Sequence, residues 1–225
     1  MALTLKKFSF LSSAALALML AACGSSDTEE TYVIGVTQFV EHPSLDAAYE
    51  GFQKALEDAG LDVEYKYNTA NGDNSANMSI AQTLVGEGVD LIFANSTPSA
   101  QAAKSATSDI PIVFTSVTDA VGAELVASME APGGNVTGTV DLHPDTVANT
   151  VAFLKDELGA KKVGTVYNTG EQNSIAQVEQ IKAALEAEGI ELVEAAVSTS
   201  AEVKSATESL LGKVDSFYII TDNTV

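Results

Sequence analysis

Hydrogen-bonding side chains collect just after the apolar runs of this sequence, and they set the chemistry open to it. Gln38, Phe39, Glu41 and His42 follow Tyr32–Thr37. Asn68, Asn71, Asp73 and Asn74 follow Val63–Tyr67, and Asn95-Ser96-Thr97-Pro98-Ser99 follows Leu91–Ala94. Ser116, Thr118 and Asp119 come after Ile112–Thr115. Later, Asn168 to Ser174, Ser198 to Ser200 and Thr221 to Asn223 stand in the same relation to the runs before them. The Asn95–Ser99 stretch places hydroxyls and free backbone N–H groups at a helix start, which suits a carboxylate or other anionic oxygen. Thr97 or Ser99 also serves as a plain N-cap there. Asp119 and Asp222 each end a strand–loop segment, and either can pair with a ligand ammonium. Phe39, His42 and Tyr167 suit packing on an aromatic ligand and equally suit local packing.

Catalytic patterns are absent from the sequence. His42 and His143 have no cysteine partner and no His-Glu-x-x-His spacing. There is no Gly-x-Ser-x-Gly elbow and no phosphate-binding Gly-x-x-x-x-Gly-Lys loop. The first strand runs into Gln38-Phe39-Val40-Glu41-His42 rather than a glycine-rich dinucleotide turn. These absences predict a binder rather than an enzyme, with no cofactor and no metal.

Charge narrows the class further. The chain has 31 acidic against 11 basic residues, a net charge of −20, and every basic residue is lysine. Such a body lacks the positive surface that nucleic-acid binding requires. Without arginine, a ligand carboxylate must be held by hydroxyls, backbone N–H groups, helix N-termini or lysine.

The elements that position these residues alternate regularly. Strands are predicted at Tyr32–Thr37, Val63–Tyr67, Leu91–Ala94, Ile112–Thr115, Val136–Val140, Val163–Tyr167, Leu192–Ala196 and Phe217–Ile220. Each is rich in β-branched or aromatic residues. Helices are predicted at Ser44–Ala59, Ser75–Gly86, Ser99–Thr107, Asp145–Leu158, Ser174–Glu188 and Ala201–Leu211. Ser44 and Asp145 are expected as N-caps, with Gly60 and Gly189 past helix ends. This alternation implies an α/β fold with mostly parallel sheets. The rhythm breaks at Leu142–Pro144 and restarts, so an N-terminal lobe (32–141) and a C-terminal lobe (142–225) are expected. One large doubly wound domain is the competing reading. The last apolar run has no covering helix after it, so the second lobe is expected to be incomplete in this chain.

The first residues carry a different signal. Lys6 and Lys7 precede a short apolar run from Phe8 to Leu20, the layout of a secretion signal. Leu20-Ala21-Ala22-Cys23-Gly24 is similar to the bacterial lipobox, and Cys23 is the one cysteine in the chain. The expectation is a signal peptide over 1–22, lipidation at Cys23, and a polar tether over 23–31. The protein would then sit outside the cytoplasm, held on the bacterial cell membrane. A lone cysteine excludes an internal disulfide.

Several motifs in order carry a family resemblance: Ile34 to Asp46, Asp109 to Phe114, Val117 to Ala123, Pro132 to Gly138, Lys162 to Asn168 and Thr221 to Val225. Together they resemble the ABC-importer substrate-binding lipoproteins of the tryptophan or aromatic amino-acid type. The resemblance implies a type I periplasmic-binding-protein fold, two Rossmann-like lobes with the ligand between them. It implies capture of a small molecule, an amino acid and preferably an aromatic one, for permease and ATPase subunits. By position it implies cleft residues Gln38, Ser96, Thr97, Thr118 and Asp119 from the first lobe, with Asn173, Ser174 and Asp222 from the second. The same fold also serves as the ligand-sensing domain of signalling receptors, the alternative role.

Overall fold

The computed structural model describes residues 31–225. The expected signal peptide, Cys23 and the tether up to residue 30 lie outside the described residues. Strands and helices alternate in the order β1 (Tyr32–Gln38), α1 (Pro43–Asp58), β2 (Val63–Thr69), α2 (Asn74–Gly86), β3 (Leu91–Asn95), α3 (Thr97–Ala106), β4 (Ile112–Val117) and β5 (Val136–Val140). They continue with α4 (Thr146–Asp156), β6 (Lys162–Asn168), α5 (Gln172–Ala187), β7 (Glu191–Val197), α6 (Ser200–Leu210) and β8 (Ser216–Phe217).

Two all-parallel sheets result. The first has the order β2-β1-β3-β4-β5 and the second β7-β6-β8. Parallel pairing buries central strands on both faces, which is why Ile34 to Gln38 in β1 and Ile92 to Asn95 in β3 are all buried. In the first sheet the core gathers Leu84, Ile92, Ala103, Ile112, Phe114 and Val136 between strands and helices. In the second, Val151, Val163, Ile181 and Leu185 pack α4 and α5 onto β6. Helix α2 comes so close to β1 that a Cβ on Gly35 would stand 2.9 Å from Leu84 Cδ2. Gly138 in β5 is more constrained still, since a Cβ there would lie 2.1 Å from the Phe114 carbonyl oxygen. Truncating fully buried Leu84 to alanine would cost about 2–5 kcal/mol in lost burial and cavity formation.

In both sheets the strand order reverses beside the first strand of the series. That leaves a crevice at the carboxyl ends of β1 and β3, and another at the ends of β6 and β8. The polar stretches after these strands therefore become neighbours in space.

Helix starts differ from the sequence expectation by one or two residues. Helix α1 starts at Pro43, and its N-cap is His42, whose Nδ1 accepts from Ser44 N at 3.2 Å. Helix α2 is capped by Asp73, which accepts from Ser75 N (2.7 Å) and Ala76 N (3.0 Å). Asp145 stands at the N-cap of α4 but makes no side-chain cap bond. The last strand is shorter than Phe217–Ile220. Tyr218 N still donates to Gly164 O, but Thr221 O accepts from Gln177 Nε2 and Asn173 Nδ2 instead of from a strand. Side chains of α5 replace the ladder there.

Candidate functional site

Each crevice is built where a strand hands over to a helix. At the end of β1, Gln38 is fully buried, and its amide donates to Asp46 Oδ1 (2.8 Å) and Val40 O (3.0 Å). Its Oε1 accepts from Asn95 Nδ2 at 2.9 Å, and the same Asn95 nitrogen donates to Leu45 O at 2.7 Å. Ser96 follows with φ of 97°, a conformation that L-residues rarely adopt. It presents Thr97 at the first turn of α3. Both residues are buried, yet neither hydroxyl has a hydrogen-bond partner. Ser116, inside an irregularity between β4 and β5, is likewise at positive φ.

Across from this stands the N-terminus of α5. Gln172 Nε2 donates to Gly122 O at 3.2 Å, and the neighbouring Ala123 O accepts from Gln101 of α3, so the two helices meet across the two sheets. Seven buried side-chain polar atoms lack a partner among the described residues, and five of them lie here. They are Asn95 Oδ1, Ser96 Oγ, Thr97 Oγ1, Gln172 Oε1 and Asn173 Oδ1. A buried polar atom left unpaired costs roughly 1–3 kcal/mol. They cluster at the starts of α3 and α5.

A cleft of about 330 Å³ lies between the two sheets. Val40, Leu45, Ile219 and Ile220 supply apolar walls, and Thr118, Asn173 and Asp222 supply polar ones. Glu41, His42 and Asp141 also line it, and no lysine does. Among the described residues, no group of His, Cys, Asp or Glu is arranged to hold a metal ion.

The residues implied by the resemblance fall into three groups. Thr118, Asn173 and Asp222 line the cleft directly. Gln38, Ser96, Thr97 and Ser174 are buried beside it, with Gln38 acting as a brace and Ser174 Oγ accepting from Asn173 Nδ2. Asp119 is absent from the lining. Its Oδ1 accepts from Val121 N (3.1 Å) and Gly122 N (2.8 Å), closing a tight turn in which a Cβ on Gly122 would clash with the carboxylate. Asp222, although in the lining, spends both oxygens on the amides of Asn168, Thr224 and Val225. Phe39 is buried in the protein interior, and Tyr167 donates its hydroxyl to Glu194.

Two carboxylates stand out only in the structure. Glu171, at the N-cap of α5, is almost fully buried and has no ion-pair partner among the described residues. Burial, and then the charge of Asp222, pushes its pKa up against the hydrogen bonds from Asn223 and Thr224. Asp141 follows β5, and burial likewise pushes its pKa up. The strand-end rule that found the other loops also points to Asp141 when applied to β5.

A curated tyrosine-binding protein from Clostridioides difficile (strain R20291) is 47% identical over 205 residues, covering 89% of this chain and 59% of the relative. The chain therefore spans less than two thirds of that relative. A solved ABC domain from Streptococcus pneumonia in complex with L-Trp shares 36% identity with a TM-score of 0.79, over 87% of this chain and 67% of that one. A ligand-free, open substrate-binding protein with adhesive properties from Clostridium difficile shares 44% identity but a TM-score of only 0.57, over 85% and 66% of the two chains. The type I periplasmic-binding fold extends to chains only 16% identical, among them leucine-binding and branched-chain amino-acid-binding proteins. The matched model spans residues 33–225, and the chain belongs to the ABC transporter substrate binding protein family.

Proposed function

We infer that this protein is the solute-binding component of an ABC importer, and that it captures an aromatic amino acid between its two lobes. The carrying observation is the set of five unpartnered buried polar atoms at the facing N-termini of α3 and α5. Helix N-termini favour an anionic group, and no arginine is present to do that work. A ligand carboxylate accepts from the Ser96 and Thr97 hydroxyls, whereas the amide oxygens of Asn95, Gln172 and Asn173 are acceptors that need a donor, and Val40, Leu45 and Ile220 take an aromatic ring. The 47% identity to a tyrosine-binding protein and the likeness to a Trp-bound domain support the aromatic preference.

Function in this reading is binding without catalysis. Open lobes expose the strand-end loops, the ligand bridges them, and contacts such as Gln172 to Gly122 hold the closed form. The closed lobes deliver the ligand to permease and ATPase subunits. The lipobox-like Leu20 to Gly24 supports a protein exported from the cytoplasm and held on the membrane through Cys23. Titration calorimetry of the full-length protein with L-tyrosine, L-tryptophan, L-phenylalanine and L-leucine tests the ligand. Binding of the aromatic amino acids at least tenfold tighter than leucine is expected, and no heat from any aromatic amino acid refutes it. Fractionation of cells carrying Cys23→Ser tests the anchor. Release of the variant from membranes is expected, and unchanged retention argues against lipidation.

A further inference from the structure

On the side of the second sheet, the cleft wall is the stretch from Ile219 to Val225. Strand pairing does not reach it. β8 covers only Ser216–Phe217, and its ladder ends with Tyr218 N donating to Gly164 O at 2.9 Å. Side chains at the end of β6 and the start of α5 hold the stretch beyond. Gln177 clasps Thr221, accepting from its N at 3.0 Å and donating to its O at 2.7 Å. Asp222 turns the chain back through the amides of Thr224 and Val225 and ties it to Asn168 N. The remaining hold is the carboxylate of Glu171, which is buried and lies outside the lining.

Every group bonded to that carboxylate is a donor. Oε2 accepts from Asn223 N (3.3 Å) and from Asn223 Nδ2, and Oε1 accepts from Thr224 Oγ1 (2.9 Å) and Asn168 Nδ2 (3.4 Å). A chain of bonds fixes these directions. Gly170 N donates to Asn168 Oδ1 at 2.7 Å, so the Asn168 nitrogen is the atom turned towards Thr224. Thr224 Oγ1 accepts from that nitrogen at 2.8 Å and keeps its own proton for Glu171. A neutral isostere cannot fill this place, because glutamine sets an NH2 group where one of the two acceptors stands. The arrangement therefore explains why a carboxylate is kept here despite the cost of burying it.

We propose that Glu171 is a positioning residue for ligand capture: from the start of α5 it anchors the Ile219–Val225 wall, and this anchoring sets how tightly an aromatic amino acid is held. This rests on the aromatic amino-acid reading above and adds a residue that stands outside the lining. Ile220, which meets the ring in that reading, lies between the end of the β8 ladder at Tyr218 and the Glu171 bonds at Asn223 and Thr224. A wall fixed on both sides of Ile220 has its shape before the ligand arrives. Preorganisation of this kind raises affinity by removing the cost of ordering the wall at binding. The clasp of Gln177 on Thr221 does not involve Glu171, so the loosening that follows its loss is confined to the residues after Thr221.

The test measures L-tyrosine affinity by calorimetry, and amide hydrogen exchange by NMR, on the full-length protein. In Glu171→Gln affinity is expected to fall by roughly tenfold, the weight of one hydrogen bond to a charged group. Exchange quickens at the Thr224 and Val225 amides, while the β6 amides keep their protection. Adding Asn223→Asp gives the new amide a carboxylate oxygen to bond and recovers most of both losses. If Glu171→Gln does not fold, Asn168→Ala, which removes the donor to Thr224 and Glu171 from outside the lining, is read by the same affinity and exchange. Wild-type affinity in the folded variant overturns the inference and leaves the aromatic ligand standing. Protection lost throughout β6 as well, or no recovery in the double variant, makes Glu171 a general stabiliser and overturns it too. If L-tyrosine does not bind wild type, the ligand reading itself fails and this assignment with it.

Discussion

At the end of β1 the buried polar groups at the centre are neutral amides, with the Asp46 carboxylate as an outer acceptor. Gln38 and Asn95 clasp each other, and the hydroxyls beyond them, on Ser96 and Thr97, are left without partners. At the matching place after β6 the groups are charged. Glu171 is buried, and Asn223, Thr224 and Asn168 all donate to it, while Asp222 gathers three backbone amides. Both crevices arise from the same reversal of strand order, so topology alone does not set their chemistry. The first is a buried amide brace followed by two unpartnered hydroxyl donors, which suit a ligand anion. The second satisfies its own carboxylates with its own chain and leaves its unpaired atoms at the start of α5.

The comparison can be broken most sharply at the brace. Asn95→Ala removes the donor to both Gln38 Oε1 and Leu45 O inside a fully buried site. Two stranded acceptors at roughly 1–3 kcal/mol each give an expected loss of about 2–6 kcal/mol in urea denaturation. A loss below about 1 kcal/mol would mean that this crevice relaxes as freely as a surface loop.

The hydroxyls beyond the brace should behave oppositely. Ser96→Ala with Thr97→Val removes atoms that have no partner in the protein, so folding stability should hold or rise slightly. Affinity for L-tyrosine should instead fall by roughly tenfold, about 1.4 kcal/mol for lost bonds to an anion. Equal affinity in the variant would show that the open bonds of the first crevice serve no ligand.

The smallest effect distinguishes the charged crevice. The folded-state pKa of Glu171 is raised, so the folded protein holds that proton more tightly than the unfolded chain does. Its contribution to stability is therefore fully present below the ordinary glutamate pKa and is lost as pH rises through the raised value. Glu171→Gln carries a constant cost, because its amide nitrogen opposes the Asn223 donors. It should nevertheless remove this slope. The difference in melting temperature between wild type and variant, followed from pH 4 to pH 8, should change with pH in that direction. A constant difference would show that the carboxylate titrates normally.

Much of this was legible in residue order. Alternating Val- and Ile-rich runs with Ala- and Glu-rich helices imply parallel sheets, and seven of the expected strands coincide with observed ones, whereas the eighth shares only Phe217 with β8. The helix starts differ by one or two residues, and the first cap falls on His42 rather than on the expected Ser44. His42 takes the first cap through a ring nitrogen and Asp73 the second through a carboxylate, and the cap is decided by which side chain the preceding strand leaves pointing at the free amides. The Phe217–Ile220 run ended early for a similar reason. Asn173 and Gln177 reach the carbonyl of Thr221 from a helix that begins some fifty residues earlier in the chain.

The site divides in the same way. That ligand contacts belong after the strands follows from the parallel pattern, which places Ser96, Thr97, Thr118, Asn173 and Asp222 in that zone. Composition alone fixes that this segment offers no arginine to an anion there. Only the tertiary structure distinguishes an aspartate closed on its own turn, such as Asp119, from one left open in a cleft, such as Asp141. Only it shows that Glu171 is buried and that the hydroxyls of Ser96 and Thr97 lack partners. Residue type and local spacing determine what a side chain can offer. Whether that offer is already taken depends on groups brought alongside from distant parts of the chain, and burial decides how much an offer left open costs.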